Sequence, residues 1–189
     1  MNGIEFAHLA GLGMWLLGVG FLVANCHLVA QLVRFRRVRP TALVTWPGRR
    51  PPYYGVFLGL GVVFGILLFV KIVVHGRPLG DAFGESMMLL YYAYLWPLVV
   101  RIERGVYAGG VWTESTFVPY ADIGGLSWRE APVITLLVIS SRRAVVRPLT
   151  VPRTHYAAVR RVLRDKIANR DIRFTLKGFD LGADDRNVV

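Results

Sequence analysis

The first hundred residues alternate between long apolar runs and short polar connections. Three runs, residues 9–33, 56–74 and 82–100, have the length of a membrane-spanning helix, because an α-helix needs about 20 apolar residues to cross roughly 30 Å of hydrocarbon. A signal peptide is disfavoured for the first run, since Glu5 and no basic residue precede it and its apolar core is too long. The pattern predicts a membrane domain of three transmembrane helices over residues 1–100.

Basic residues in the connections predict an orientation. The connection after the first run carries six arginines: Arg34, Arg36, Arg37, Arg39, Arg49 and Arg50. The connection after the second run has only Lys71 and Arg77. Because basic connections stay on the cytoplasmic side, we expect the N-terminus outside and everything after Arg101 in the cytoplasm. The preference for arginine over lysine suggests a bacterial chain, and hence the bacterial inner membrane.

The pattern changes after Arg101 to short β-prone runs separated by glycine and proline. These runs predict an antiparallel meander, in which the apolar run 133–140 is too short to span a bilayer and is therefore a buried strand. Apolar residues then recur every three or four positions over 152–168, which predicts an amphipathic helix that covers one face of the sheet. A short strand at 172–176 and a flexible acidic tail at 178–189 complete the prediction.

Several short motifs of this half carry a resemblance. They are Arg-Gly-Val-Tyr at 104–107, Val-Pro-Tyr-Ala-Asp-Ile at 118–123 and Leu-Ser-Trp at 126–128, followed by the strand 133–140 and the basic helix 152–168. Behind membrane helices, this arrangement resembles uncharacterised bacterial multi-span membrane proteins with a cytoplasmic pleckstrin-homology-like (PH-like) domain. The resemblance covers roughly residues 101–175 and implies a small bent sheet capped by a C-terminal helix. The sequence predicts fewer strands than the seven of a full domain of this kind. The expected fold class is membrane α+β, with the PH-like domain at 101–177.

Composition and charge limit the classes of protein and the partners that the sequence allows. The chain is 54% hydrophobic and 19% charged, against roughly 45–50% and about 25% in soluble domains, which argues against an ordinary soluble enzyme. Its net charge is +11. Each basic residue close to an anionic leaflet contributes about 1 kcal/mol to docking, and nucleic acid is not an expected partner. The arginines expected to contact anionic lipid or a protein partner are Arg142, Arg143, Arg153, Arg160, Arg161 and Arg164.

Glycines mark the second apolar run. Gly55, Gly59, Gly61 and Gly65 form two successive Gly-x-x-x-Gly pairs, and small residues at this spacing let helices approach closely in lipid. They serve either the packing of helices within this chain or assembly with another copy or subunit. Leucine at Gly59 and Gly61 is expected to disrupt such an assembly.

Ionisable and polar residues inside or beside the apolar runs are candidate sites, because they are costly in a membrane. On the outer side, Glu5 and His8 could hold a metal together with His75 and Asp81, or be solvated residues at a helix end. On the inner side, Asn25 and His27 are expected to form interhelical hydrogen bonds.

Catalytic constellations are not found in the sequence. The single cysteine, Cys26, lies in an apolar run, and His155 is the one histidine after Arg101. No phosphate-binding or nucleophile motif follows a predicted strand. We therefore expect a non-enzymatic membrane protein without a cofactor, which engages lipid or a protein partner. The alternatives are an accessory subunit of a membrane complex and a small transporter or metal-handling protein.

Overall fold

The fold is α+β, with long helices followed by antiparallel sheets. A computed structural model describes residues 3–141 and 145–174. The chain divides into two compact units. The helical unit comprises residues 1–37 and 47–102, and the sheet unit comprises residues 38–46 and 103–189. The chain therefore enters the sheet unit, leaves it for the helical unit, and returns.

Two helices are long and apolar enough to cross a membrane. Helix α1 spans Gly3–Val38, and α2 spans Tyr54–Phe69 and continues into a π-helical turn at Val70–Val74. By length and composition, the candidate spans within the described residues are Gly11–Thr41 and Tyr54–Val74. Their apolar side chains lie largely on the outside of the unit, with Leu12 and Val62 about 60% exposed. An apolar surface of this extent is unusual for a soluble domain.

The third predicted span, 82–100, is not among these helices: within the described residues two helices, and not the three expected, are long and apolar enough to cross a membrane. A 3₁₀ turn at Leu79–Ala82 leads into α3 (Phe83–Leu89), a π-helical segment at Leu90–Leu95 and α4 (Trp96–Val100). The residues that lower its hydropathy are one glutamate, three tyrosines, a tryptophan and a proline: Glu85, Tyr91, Tyr92, Tyr94, Trp96 and Pro97.

The sheet unit contains two antiparallel sheets. The first sheet has the order β1 (Ala42–Trp46), β2 (Arg104–Tyr107), β3 (Gly110–Trp112) and β4 (Phe117–Pro119), and the second has β5 (Ile123–Arg129), β6 (Thr135–Ser140) and β7 (Val146–Thr150). Strand β1 comes from the connection between α1 and α2, where the sequence predicts only a basic loop. It pairs with β2 through Val44 with Val106 and Trp46 with Arg104. The described residues thus form seven strands, and the expectation of fewer was wrong.

One core joins both sheets of the unit. It includes Trp46 from β1, Val106 from β2 and Leu136 from β6, together with Val159 and Leu163 from α5 (Arg153–Ala168). The Trp46 Nε1 donates a hydrogen bond to the Thr150 carbonyl at 3.0 Å, which ties β1 to β7.

Two features of the sheet unit add to the sequence prediction: the backbone conformation at Gly105 and the structure of residues 172–174. Gly105 has φ +145°, and a Cβ there would collide with the Val44 carbonyl, so this position requires glycine. Residues 172–174 are not in a strand, although Ile172 is buried. The remainder of the predicted strand, and the tail 178–189, lie outside the described residues.

Candidate functional site

Helix α5 presents four arginines to solvent. The helix begins after the extended Pro152 and buries Val159 and Leu163, which fixes the direction of its other faces. Arg153, Arg160 and Arg164 are seven and four positions apart, so they lie within about 40° around the helix, and Arg161 borders them. All four are exposed. Among the described residues none of them has an ion-pair or hydrogen-bond partner. We call these four residues the α5 basic stripe.

The other two predicted arginines, Arg142 and Arg143, lie outside the described residues. They belong to the connection between β6 and β7. Beyond them, Val145 and Val146 are both more than 40% exposed. The structure therefore places four of the six predicted arginines on one helix.

Other polar side chains of the sheet unit form ion pairs or hydrogen bonds within the unit. Arg104 Nε lies 3.5 Å from Glu114 Oε2, and burial lowers the pKa of Arg104. The Tyr120 hydroxyl donates to the Tyr107 carbonyl at 2.7 Å. Burial raises the pKa of Tyr107 to about 12, and it also raises the pKa of Tyr120. These groups stabilise the unit and do not form part of an exposed binding surface.

The four glycines of α2 separate into two pairs. A Cβ at Gly61 would lie 3.0 Å from the Ala93 N, Cα and Cβ atoms, and a Cβ at Gly65 would contact Leu89 at 3.6 Å. At Gly55 and Gly59 a Cβ would meet nothing within 4 Å. Gly61 and Gly65 therefore pack within the chain, whereas Gly55 and Gly59 face open space.

A second close approach joins α1 to α3. A Cβ at Gly18 would lie 2.7 Å from Phe83 and 2.9 Å from the Gly84 Cα, and a Cβ at Gly84 would collide with the Met14 carbonyl. The sequence places Gly84 four positions after Gly80, but this spacing does not show that Gly84 alone of the two packs closely against another helix. Close contacts at glycine therefore pack the segment 83–95 against α1 and also against α2.

An ion pair in the helical unit joins a half-buried lysine to a buried glutamate. The Lys71 ammonium donates to Glu85 Oε1 at 2.7 Å and to the Asp81 carbonyl at 2.6 Å. Glu85 is only 6% exposed, and its Oε2 has no hydrogen-bond partner in the part of the chain that the structure describes. Such pairing is what allows an ionisable group to lie within an apolar bundle. The sequence marks both residues as ionisable but does not show that they meet.

The outer polar group predicted from the sequence is only partly brought together. Lys71, His75, Arg77 and Asp81 line a cleft of about 760 Å³, and Arg77 lies 3.6 Å from Asp81. The side chains of Glu5 and His8 lie outside the described set. Within the described residues, no group of three or more histidine, cysteine, aspartate or glutamate side chains could hold a metal ion.

The inner polar residues take different partners. Asn25 Nδ2 donates to the Met87 carbonyl at 3.0 Å, which confirms the interhelical hydrogen bond predicted for Asn25. The same prediction was wrong for His27, whose Nε2 lies 2.8 Å from Gln31 Nε2 one turn along the same helix. A polar partner one turn away competes with partners on other helices.

Arginine and histidine side chains of the sheet unit differ in their exposure. His155 stacks on the Trp46 ring at 5.7 Å and so belongs to the packing around the core. The α5 basic stripe, in contrast, offers guanidinium groups that form no ion pair with the described carboxylates, and guanidinium groups suit phosphate oxygens. No family model, curated protein or solved structure matches the chain.

Proposed function

We propose that this chain is an integral protein of the bacterial inner membrane whose cytoplasmic sheet unit engages anionic phospholipid through the α5 basic stripe. The observation that carries the proposal is the exposure of four arginines on one side of α5 without ion-pair partners among the described residues. Near an anionic leaflet, each contributes about 1 kcal/mol. The interaction is electrostatic and is therefore weakened by salt.

The pairing of β1 with β2 supports the membrane topology of the proposal. Paired strands must lie on one side of a membrane, so the chain between Trp46 and Arg104 crosses it an even number of times. Tyr54–Val74 accounts for one crossing, and we propose that residues 83–100 form the return. Its carboxylate Glu85 is compensated by Lys71, which reduces the cost of a polar crossing. The arginines around both ends of this excursion favour the cytoplasmic side.

The strand order supports the PH-like identity proposed for the sheet unit. The resemblance implies a small bent sheet capped by a C-terminal helix. The described strands, four in one antiparallel sheet and three in a second, equal the seven of a full domain of this kind, and α5 follows them. The first strand is supplied from between α1 and α2, ahead of the region that carries the sequence motifs. We propose that the unit is a PH-like domain interrupted after β1 by residues 47–102.

A labelling experiment on the full chain in nanodiscs tests the lipid interaction. In a Cys26→Ser background, an environment-sensitive fluorophore is attached at Ala157→Cys, which lies in the stripe, or at Ala158→Cys, which lies about 100° away around the helix. We expect the label at 157 to report contact with headgroups in nanodiscs containing phosphatidylglycerol and not in phosphatidylcholine alone. The label at 158 is expected to respond less.

Charge reversal completes this test. Arg160→Glu, Arg161→Glu and Arg164→Glu together are expected to abolish the response at 157, because they replace attraction by repulsion at exposed positions. Arg129→Glu, a single reversal at an exposed position outside α5, should leave the response unchanged, whereas Arg160→Glu alone should reduce it. An equal response in both lipids, or one that survives the triple reversal, would refute the proposal and favour a protein partner.

A second candidate function is supported by the open glycine pair. Gly55 and Gly59 lie on α2, whose apolar side chains are largely exposed, and a Cβ at either would meet no described atom within 4 Å. This arrangement favours an accessory subunit that packs against another membrane protein or a second copy. Gly59→Leu is expected to remove such a partner on co-purification in mild detergent while leaving the chain itself folded. If no stoichiometric protein partner is recovered with the unmodified chain, this candidate is rejected.

A further inference from the structure

An apolar groove runs along α1 in the helical unit. It has a volume of about 580 Å³ and is lined on α1 by Leu22, Val29 and Val33 and from the π-helical segment by Leu90 and Leu95. Asn25 also lines it and is held in place by its hydrogen bond to the Met87 carbonyl. Almost all of the groove wall is therefore hydrocarbon.

The length of the groove corresponds to one leaflet of a bilayer. Leu22 and Val33 are eleven positions apart on α1, which at 1.5 Å per residue is roughly 16 Å. Half of the hydrocarbon thickness of a bilayer is about 15 Å. An acyl chain that enters from one interface can therefore lie along the whole apolar wall.

The charge at one end of the groove identifies the occupant. Arg34 and Arg37 both line the groove, and they are three positions apart, so they lie on the same side of α1. Arg36, between them, does not line it. A groove with an apolar wall and two guanidinium groups at one end is complementary to a molecule with an acyl chain and an anionic headgroup.

We infer that this groove holds one anionic phospholipid of the cytoplasmic leaflet. An acyl chain lies against Leu22, Val29 and Val33, and the phosphate is bound by Arg34 and Arg37 through charge-assisted hydrogen bonds. The inference rests on the proposed orientation, in which this end of α1 faces the cytoplasm. It concerns a site on α1 that is separate from the α5 basic stripe.

Native mass spectrometry of the full chain, released from nanodiscs that contain phosphatidylglycerol and phosphatidylcholine, tests the headgroup contact. We expect one retained lipid with a preference for phosphatidylglycerol. Arg37→Gln should lower that preference about fivefold, the equivalent of about 1 kcal/mol for one basic residue. Arg36→Gln is the matched control, since it removes the same charge from the neighbouring exposed position. Equal effects of the two substitutions would overturn the inference.

Filling the groove tests the acyl-chain contact. Ala30→Trp introduces a large side chain at a groove-lining position, and Val23→Trp introduces the same side chain at an exposed position outside the groove. The first variant is expected to lose the retained lipid and the second to keep it. Retention of stoichiometric phosphatidylglycerol by the folded Ala30→Trp variant would overturn the inference.

The two proposals fail separately. Reversal of Arg160, Arg161 and Arg164 should leave the groove lipid in place, because none of the three lines the groove. If the label at position 157 reports lipid contact while the groove variants behave like their controls, only the groove assignment is wrong. If the groove variants behave as expected and the label at 157 does not respond, only the role of α5 is wrong.

Discussion

Alanine at Gly61 places a methyl group against a neighbouring helix. A Cβ there lies 3.0 Å from three atoms of Ala93, two of which belong to the backbone. Ordinary contacts between carbon atoms are about 3.5–4.0 Å, so the segment that carries Ala93 must move by several tenths of an ångström. Gly59, two positions earlier on the same helix, has no atom within 4 Å of the same methyl group. The two glycines therefore form a matched pair.

The expected difference between the two variants follows from two opposing effects. Glycine in a helix interior is less favourable than alanine by roughly 0.5–1 kcal/mol, so Gly59→Ala should stabilise the chain by about that amount. Overpacking costs about 1–3 kcal/mol, so Gly61→Ala should be destabilising. Because the helix-propensity gain is common to both substitutions, it cancels in the comparison. The difference of about 1–3 kcal/mol then reports the contact with Ala93.

Thermal unfolding of both variants in the same detergent, followed by circular dichroism, measures this difference. We expect the unfolding midpoint to rise or stay level for Gly59→Ala and to fall for Gly61→Ala. Leucine at the two positions should separate them further, with Gly61→Leu unfolding earlier. Equal midpoints for the alanine pair would refute the packing of Gly61 on Ala93, and a loss of stability in Gly59→Ala would show that Gly59 also has a neighbour.

Three further outcomes follow from buried polar contacts. Lys71→Met leaves the buried Glu85 carboxylate without its half-exposed partner and should destabilise the chain by about 1–3 kcal/mol, while adding Glu85→Gln should restore most of this loss in chemical denaturation. Trp46→Phe removes the hydrogen bond to Thr150 and should lower the free energy of unfolding by about 1 kcal/mol, without changing the helical content. Burial raises the pKa of Tyr107 from 10.0 to about 12, so the neutral hydroxyl stabilises the fold fully below about pH 10, and this contribution is lost as the pH rises towards 12. Tyrosinate absorbance during alkaline unfolding measures the effect, and Tyr107→Phe should remove it.

The elements that the sequence predicts well are those with a strong local signal. The apolar runs that form α1 and α2 can be recognised without knowing which residues pack against them, because their length and hydropathy define them. The eight-residue run 133–140 is too short for a span, and residues 135–140 form the central strand of the second sheet. In each case the information lies within the element itself.

The elements that the sequence misses depend on distant partners. Strand β1 is five residues long and lies among arginines. It is a strand because it pairs with β2, which follows more than fifty residues later. The segment 83–100 carries polar residues that reduce its hydropathy, and the partner of Glu85 lies on the preceding helix. The glycine spacing on α2 shows where close approach is sterically permitted. It does not show that Ala93 lies next to Gly61 while Gly59 is open.

The interrupted sheet unit also makes the order of synthesis important. Strand β1 leaves the ribosome before residues 47–102, and β2 follows them. At about 5–20 residues per second, β1 waits for several seconds without its partner while, in the proposed topology, the intervening helices enter the membrane. If the chain between β1 and β2 crosses the membrane an odd number of times, the two strands lie on opposite sides of the membrane. The first sheet then cannot form. In the proposed topology, closure of the β1–β2 pair therefore depends on correct insertion, and a fragment beginning at Arg101 lacks both β1 and the Trp46 part of the core.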